Sequence, residues 1–327
     1  MTYSIMTFSS NRASQRILNH KTKSIKFLEQ MNQVIPRWEL VSMIDATLPV
    51  TNPYLWWRPR IATIIKLKMY FLSLRYNLSD IQTEEWIYDR TSFQYFMDID
   101  ILQDIIPDAT TLCDMRLYID SHKLWAKILQ IVNAKLKQHD LILEWWTLID
   151  ATIIKAPSST KNKDHSRDPE MSSTKKNNNF HFWAKVHTAT DTRGYIHDIK
   201  TTTAKTHDSQ VYKDLIQSTT IYTLWDSAYH WKEIQQCAKE HNIKHLHMTK
   251  RTRGQATLSI IQRIHNTLIA MPRKIVEHPF WVIKHIRWHR KTKYRWLHKL
   301  QSMWYVLAWL CNIYRCRYRL LGTAINT

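Results

Sequence analysis

Glycine is nearly missing: three residues in a chain of 327, where average usage of about 7% would supply roughly 23. Glycine belongs at corners that need φ > 0 or a close backbone approach. Cysteine is scarce as well. Cys113, Cys237, Cys311 and Cys316 form no C-x-x-C pair and no metal-finger spacing, which excludes a structural zinc site and a disulfide scaffold and fits a reduced compartment. No compact apolar segment of the kind that begins a secretory signal stands at the N-terminus. The most apolar late stretch, residues 303–314, is too short to span a bilayer and reads as one buried helix. Acidic residues are missing from one region in particular: residues 241–327 hold 17 Lys and Arg and a single acid, Glu277.

What is present is charge of the other sign. The chain carries 47 Lys and Arg against 27 Asp and Glu, a net charge of +20, and most of the excess sits in that last stretch. A polyanionic partner follows. With no lipidation motif or amphipathic anchor in sight, nucleic acid is favoured over a membrane surface. Hydrophobic residues make up 44%, enough to bury a core and to exclude wholesale disorder.

Two patterns divide the chain. Up to about residue 142 apolar residues recur at helical spacing, as in 61–74 and 124–136, with breaks near Thr51-Asn52-Pro53 and Ile106-Pro107-Asp108. A β-branched run at 147–154 then predicts a buried strand. A polar loop over 158–179 follows, and two strands, 180–189 and 195–203, flank an Asp191-Thr192-Arg193-Gly194 turn. Beyond them the pattern predicts a helix at 208–217, a strand at 221–225, a helix at 231–241, a strand at 243–249, and helices at 258–286 and 297–317. The order is three strands, helix, strand, helix, strand, helix. It predicts an α/β fold: a ribonuclease-H-like mixed sheet with flanking helices, preceded by a mainly helical N-terminal domain. The expected boundaries are 1–142 (helical, for DNA binding and assembly), 143–290 (catalytic) and 291–327 (a basic helical tail packed on the catalytic domain).

Phosphoryl transfer on DNA asks for positioning and charge neutralisation, commonly from two divalent ions about 3.5–4 Å apart held by carboxylates. Asp150 sits inside an apolar strand, where a carboxylate is costly unless paired or metal-bound; the bland alternative is a solvated strand end. Asp226 ends the strand at 221–225 and begins Asp226-Ser227-Ala228-Tyr229, as a site residue or as a helix cap. Glu277 is the one acid of a cationic stretch. Arg273 and Lys284 fall within about 40° of it on a helical face, which suits an acid that holds metal beside bases that hold phosphate. A structural ion pair with Arg273 is the alternative. Pro279 predicts a local helix break that frees the carbonyl of Ile275.

These segments together resemble bacterial insertion-sequence transposases of the Asp-Asp-Glu (DDE) class, specifically the insertion-sequence-five family. The likeness is carried by Thr147-Leu148-Ile149-Asp150-Ala151-Thr152-Ile153-Ile154, Ala156-Pro157-Ser158-Ser159-Thr160-Lys161-Asn162, Arg167-Asp168-Pro169-Glu170-Met171, Thr174-Lys175-Lys176, Asp226-Ser227-Ala228-Tyr229, Val276-Glu277-His278-Pro279-Phe280 and Lys293-Tyr294-Arg295. Arg58-Pro59, Tyr76-Asn77-Leu78-Ser79-Asp80 and Pro107-Asp108 resemble the family's N-terminal region.

The resemblance implies that Asp150, Asp226 and Glu277 are the catalytic and metal-binding carboxylates, with two Mg²⁺ ions as cofactor and Mn²⁺ able to substitute. It implies cleavage at the element end to a 3′-hydroxyl, which then joins target DNA. The partners would be double-stranded DNA, both terminal inverted repeats and target, and further copies of the chain in a homodimer or larger assembly. No membrane is implied, and the setting would be the bacterial cytoplasm at the nucleoid. A Tyr-Arg-Glu-Lys signature is met by Arg273 and Lys284, while the tyrosine position is Ala270. Lys161, Lys163, Lys175, Lys176, Arg290, Lys291, Lys293 and Arg295 are expected on phosphates, and His207 and Asp208 behind the first carboxylate or as a helix cap.

Tryptophan mirrors the lack of glycine, with 15 residues. Trp57, Trp183, Trp225, Trp231, Trp288 and Trp296 stand where the family usually has glycine. Three explanations are open: UGA codons that mean glycine at the source being rendered as tryptophan, true substitutions, or a decaying copy. UGG codons at these positions would exclude the first. The alternative function is accordingly a catalytically inactive, transposase-derived DNA-binding protein; its mark would be a lost carboxylate, and all three are present.

Overall fold

The computed structural model describes residues 21–48, 61–161, 163, 165–176, 179–224, 232–246, 249, 257–286 and 289–325, with backbone alone at 174–176, 179–181, 208–209, 232–235, 286 and 323–325. The chain divides into two compact units, Met1–Leu124 with Ile313–Thr327, and Trp125–Asn312.

The first unit is helical, as its periodicity predicts. Its elements are α1 (Lys23–Val34), α2 (Arg37–Asp45), α3 (Thr63–Tyr76), α4 (Asp80–Asp89), α5 (Thr91–Met97) and α6 (Ala109–Ser121). The motifs that stood out here act as helix punctuation. Asn77 ends α3 in the left-handed conformation, φ 54°, one that asparagine tolerates. Ser79 and Gln82 form a reciprocal capping box on α4. The Asp108 carboxylate accepts from Thr111 N–H at 2.7 Å to start α6, placing the helix break where Pro107 predicts it. Arg116 of α6 forks onto both oxygens of Asp80, so the same Asp80 ties α4 to α6. Leu28, Met31, Leu72, Ile87, Phe93 and Phe96 fill the core.

The second unit holds the sheet. Helix α7 (Leu124–Gln138) leads into β1 (Trp146–Lys155), β2 (Ser172–Lys176), β3 (Asn179–Thr190) and β4 (Ile196–Thr203). After these come α8 (Tyr212–Leu215), β5 (Tyr222–Leu224), α9 (Lys232–Glu240), β6 (Lys244–Leu246), α10 (Ile260–Trp281) and α11 (Leu297–Ile325), whose residues from Ile313 on fall in the first unit. β1 is central: it pairs antiparallel with β3 and parallel with β5, and β5 pairs parallel with β6. β4 and β2 both pair antiparallel with β3. This is the mixed sheet with flanking helices that the element order predicts.

Three details differ from the pattern. The polar segment expected to be a loop to residue 179 contains a strand, β2, held by backbone pairing to the overlong β3. Its Ser-Ser-Thr-Lys-Lys run has no apolar alternation to announce it. The helix expected over 208–217 shrinks to a 3-10 turn, Asp208–Val211, and the single turn α8, where Val211, Tyr212 and Leu215 are buried. Pro279 does not end its helix: α10 runs through Pro272 and Pro279 to Trp281, and a π-helical turn, Val282–Ile286, follows. Pro279 removes only the N–H that would reach Ile275. Pro279 is buried, as are Val276 and Phe280, and burial of this part of the helix offsets the lost bond.

The β3–β4 corner is tied by Asp191, whose carboxylate accepts from Leu143, Arg193 and Tyr195 N–H at 2.8–2.9 Å. Gly194 supplies the φ of 79° that this turn needs. Burial pushes the Asp191 carboxyl up, and burial pushes the neighbouring His197 down. Asn312 of α11 accepts from Ile196 N–H at 2.8 Å and donates to Ile196 O and to Asn133 of α7, joining both helices to the start of β4.

Candidate active site

Side chains alternate across β1, so Leu148, Asp150 and Thr152 share one face and Thr147, Ile149 and Ala151 the other. The two faces have different neighbours. Ile149 packs on Ala189, Val211, Tyr212 and Leu215. Leu148 lies in a buried cluster with Leu224 of β5 and with Ile269 and Val276 of α10. Thr152 meets the π turn that follows α10: the Lys284 ammonium donates to its hydroxyl at 2.5 Å and to the Ile153 carbonyl at 3.1 Å. Asp150 is therefore bracketed on its face, with α10 on one side and Lys284 on the other. It is half-buried, and one carboxylate oxygen accepts from Ala151 N–H at 2.8 Å.

Glu277 follows Val276, the residue that packs α10 onto the Asp150 face, and is itself exposed. Arg273, one turn earlier, is half-buried. Asp226 lies outside the described residues. The strand that precedes it in sequence, β5, pairs in parallel with β1, Leu148 opposite Leu224, and Asp150 and Asp226 each stand two residues further on in sequence. Among the described residues no cluster of three or more His, Cys, Asp or Glu forms a ready metal site; the expected set needs Asp226.

The basic residues fall into separate groups. Arg290 and Lys291 run alongside the end of β1, where Lys155 N–H donates to Arg290 O at 3.3 Å and Thr292 N–H to Lys155 O at 2.9 Å. This brings Lys155, Arg290 and Lys291, all exposed, to the end of the strand that carries Asp150; Lys293 is exposed just beyond. Lys155 went unnoticed in the sequence because a strand's last residue has no motif of its own. Arg295 sits against the Trp296 ring, 5.7 Å from its centroid. Lys161 and Lys163 are exposed, and Lys175 and Lys176 belong to β2, their side chains outside the described residues. His207 is exposed and accepts through its carbonyl from Gln210 N–H at 3.1 Å, opening the 3-10 turn. The Asp208 side chain is outside the described residues.

The Arg167-Asp168-Pro169-Glu170 motif proves to be an anchor for the last helix. Asp168, buried, accepts from Trp296 N–H at 2.5 Å, and Glu170 from Leu297 N–H at 2.6 Å. Two carboxylates thus satisfy the first free amides of α11 and complement its dipole. Trp296 itself has φ 74°, a conformation costly for any residue but glycine. Of the six tryptophans at expected glycine positions, Trp183 lies in the extended β3, where glycine has no advantage, and Trp57, Trp225, Trp231 and Trp288 lie outside the described residues.

Two family models match this chain: "Transposase DDE domain" over residues 144–313 and "Transposase domain (DUF772)" over residues 14–117. The chain belongs to the DDE-class transposases of insertion sequences. The first match spans the whole sheet of the transposase, including Asp150, Asp226 and Glu277, and gives the fold its description as ribonuclease-H-like. Members cut DNA and transfer strands, and they use divalent metal ions. No solved structure matches the transposase. No described helix is long and apolar enough to cross a membrane.

Proposed function

We propose that Asp150, Asp226 and Glu277 of this transposase hold two Mg²⁺ ions, and that at this one site it cleaves the ends of its element and joins the freed 3′-hydroxyls to target DNA. The observation that carries the reading is the bracketing of Asp150: Leu148 packs on Val276, Glu277 follows Val276, and Lys284 binds Thr152. Asp150 and Glu277 thus lie on the strand and the helix that this contact joins, and the Leu148–Leu224 register supports Asp226 as the third carboxylate. The donor set fits the metal, since carboxylate oxygens are the hard ligands Mg²⁺ prefers. Bound ions supply Lewis-acid neutralisation of the phosphodiester charge and make water a competent nucleophile near neutral pH.

The chain's own residues hold and orient. Arg273, Arg290, Lys291 and Lys293, with Lys155, hold phosphates on either side of the scissile bond as cations that need no rearrangement. Lys161, Lys163, Lys175, Lys176 and Arg295 extend this track, and His207 and Asp208 cap the turn that follows β4, where His207 O accepts from Gln210 N–H. Lys284 fixes the helix that carries Glu277 against the strand that carries Asp150. Water attacks phosphorus and the P–O3′ bond breaks, leaving a 3′-hydroxyl; that hydroxyl then attacks a target phosphorus in line, releasing the target's own 3′-hydroxyl. We place the protein in the insertion-sequence-five group, acting on terminal inverted repeats as a homodimer or larger assembly at the bacterial nucleoid.

The test is strand transfer from an inverted-repeat duplex into a plasmid. Joined product should require Mg²⁺ or Mn²⁺ and vanish with EDTA; joining in EDTA would overturn the reading.

A further inference from the structure

The N-terminal half of α10 carries a face that catalysis does not use. Ile261, Ile264, Leu268, Met271 and Ile275 follow one another at spacings of three, four, three and four residues, the seven-residue repeat of a helix that pairs with another helix. All five are exposed: 80%, 57%, 62%, 63% and 36% of their surfaces face solvent, and Ile260 beside them is 74% exposed. Two contacts fix the rotation of the helix. Ile269 is buried against the sheet cluster. The Asn266 amide exchanges two hydrogen bonds with the Thr249 backbone at 2.8 and 2.9 Å. At 100° per residue the stripe is centred about 120° from Ile269, away from the sheet.

We infer that this stripe is a self-association surface, paired with the same stripe of a second copy of the chain. Its apolar surface is on the order of 600 Å², at the top of the range a monomer leaves exposed and most of the about 800 Å² per partner that a stable interface buries. The repeat is self-complementary, as a two-fold interface requires. The positions flanking the seam are Ile260, His265, Thr267, Pro272 and Lys274, with one full charge among them, so two copies do not set like charges face to face. DNA is excluded as the occupant because the stripe offers phosphates no donor.

The inference is independent of the carboxylate reading, and its test uses neither DNA nor catalysis. In sedimentation velocity at tens of micromolar, the full-length wild-type chain should run as a dimer. Ile264→Glu and Leu268→Glu should each halve the apparent mass while leaving the far-ultraviolet circular dichroism unchanged, as exposed positions allow. In a Cys113→Ser background, Leu268→Cys should form an interchain disulfide under mild oxidation, and Arg263→Cys, on the flank away from the stripe, should not. A monomeric wild-type chain, a dimer that Leu268→Glu leaves intact, or equal cross-linking through both cysteines would overturn the inference.

Discussion

Replacing Lys284 by Met keeps the length of the side chain and removes only the ammonium that binds Thr152 and Ile153. Hydrogen bonds from a charged donor contribute about 1.5–3 kcal/mol each, and the desolvation of a half-buried lysine offsets part of that. The net expectation is a loss of about 2 kcal/mol. With a urea dependence of about 2–3 kcal/mol per molar, the unfolding midpoint should fall by roughly 0.7–1 M. Thr152→Val removes one acceptor and should cost about 1 kcal/mol, and the double variant should fall short of additivity by about 1 kcal/mol because both changes cut the same bond. The assay is urea unfolding of DNA-free protein followed by tryptophan fluorescence. A lysine that only binds DNA phosphates would leave these midpoints unmoved. An unchanged midpoint for Lys284→Met, or strictly additive effects, would refute the reasoning.

Trp296→Gly should be neutral or stabilising by up to about 1 kcal/mol, since glycine relieves the left-handed backbone at φ 74°; thermal unfolding checks this, and a loss of about 2 kcal/mol would show that the indole outweighs the strain. Lys68 is buried beside the Phe96 ring, and burial first, then Arg37, lowers its pKa from 10.5 to about 8. The unfolded chain therefore binds more protons between these values, so stability should rise as pH increases from about 8 to 10.5; Lys68→Met should stabilise the protein at pH 7 and flatten that rise in urea titrations. Lys291→Ala should weaken binding to any duplex and lower the slope of log K against log salt by about 1, measured by fluorescence anisotropy.

Most of the sheet was legible because β1 and the β3–β4 hairpin announce themselves by β-branched runs around a polar turn. β2 was not, since edge pairing with β3 stabilises a Ser-Ser-Thr-Lys-Lys segment that has no pattern of its own. Glu277 could be singled out by charge alone, and Asp150 by its apolar strand. What composition could not reveal was how the two elements meet. The packing of Val276 on Leu148, the hold of Lys284 on Thr152, and the arrival of Arg290 and Lys291 beside Lys155 are contacts across more than a hundred residues of chain. The Asp168 and Glu170 motif was conspicuous in sequence, but its work on the amides of Trp296 and Leu297 depends on a fold that brings residues 127 or more apart together.

The central claim is that three carboxylates, and not merely a basic DNA-binding surface, make this protein work. The most direct measurement is joining of a labelled inverted-repeat end to plasmid DNA by Asp150→Asn, Asp226→Asn and Glu277→Gln, with end binding followed in parallel by mobility shift. All three variants should bind ends as the wild type does and give no joined product. Wild-type joining by Asp150→Asn or Glu277→Gln would contradict the account.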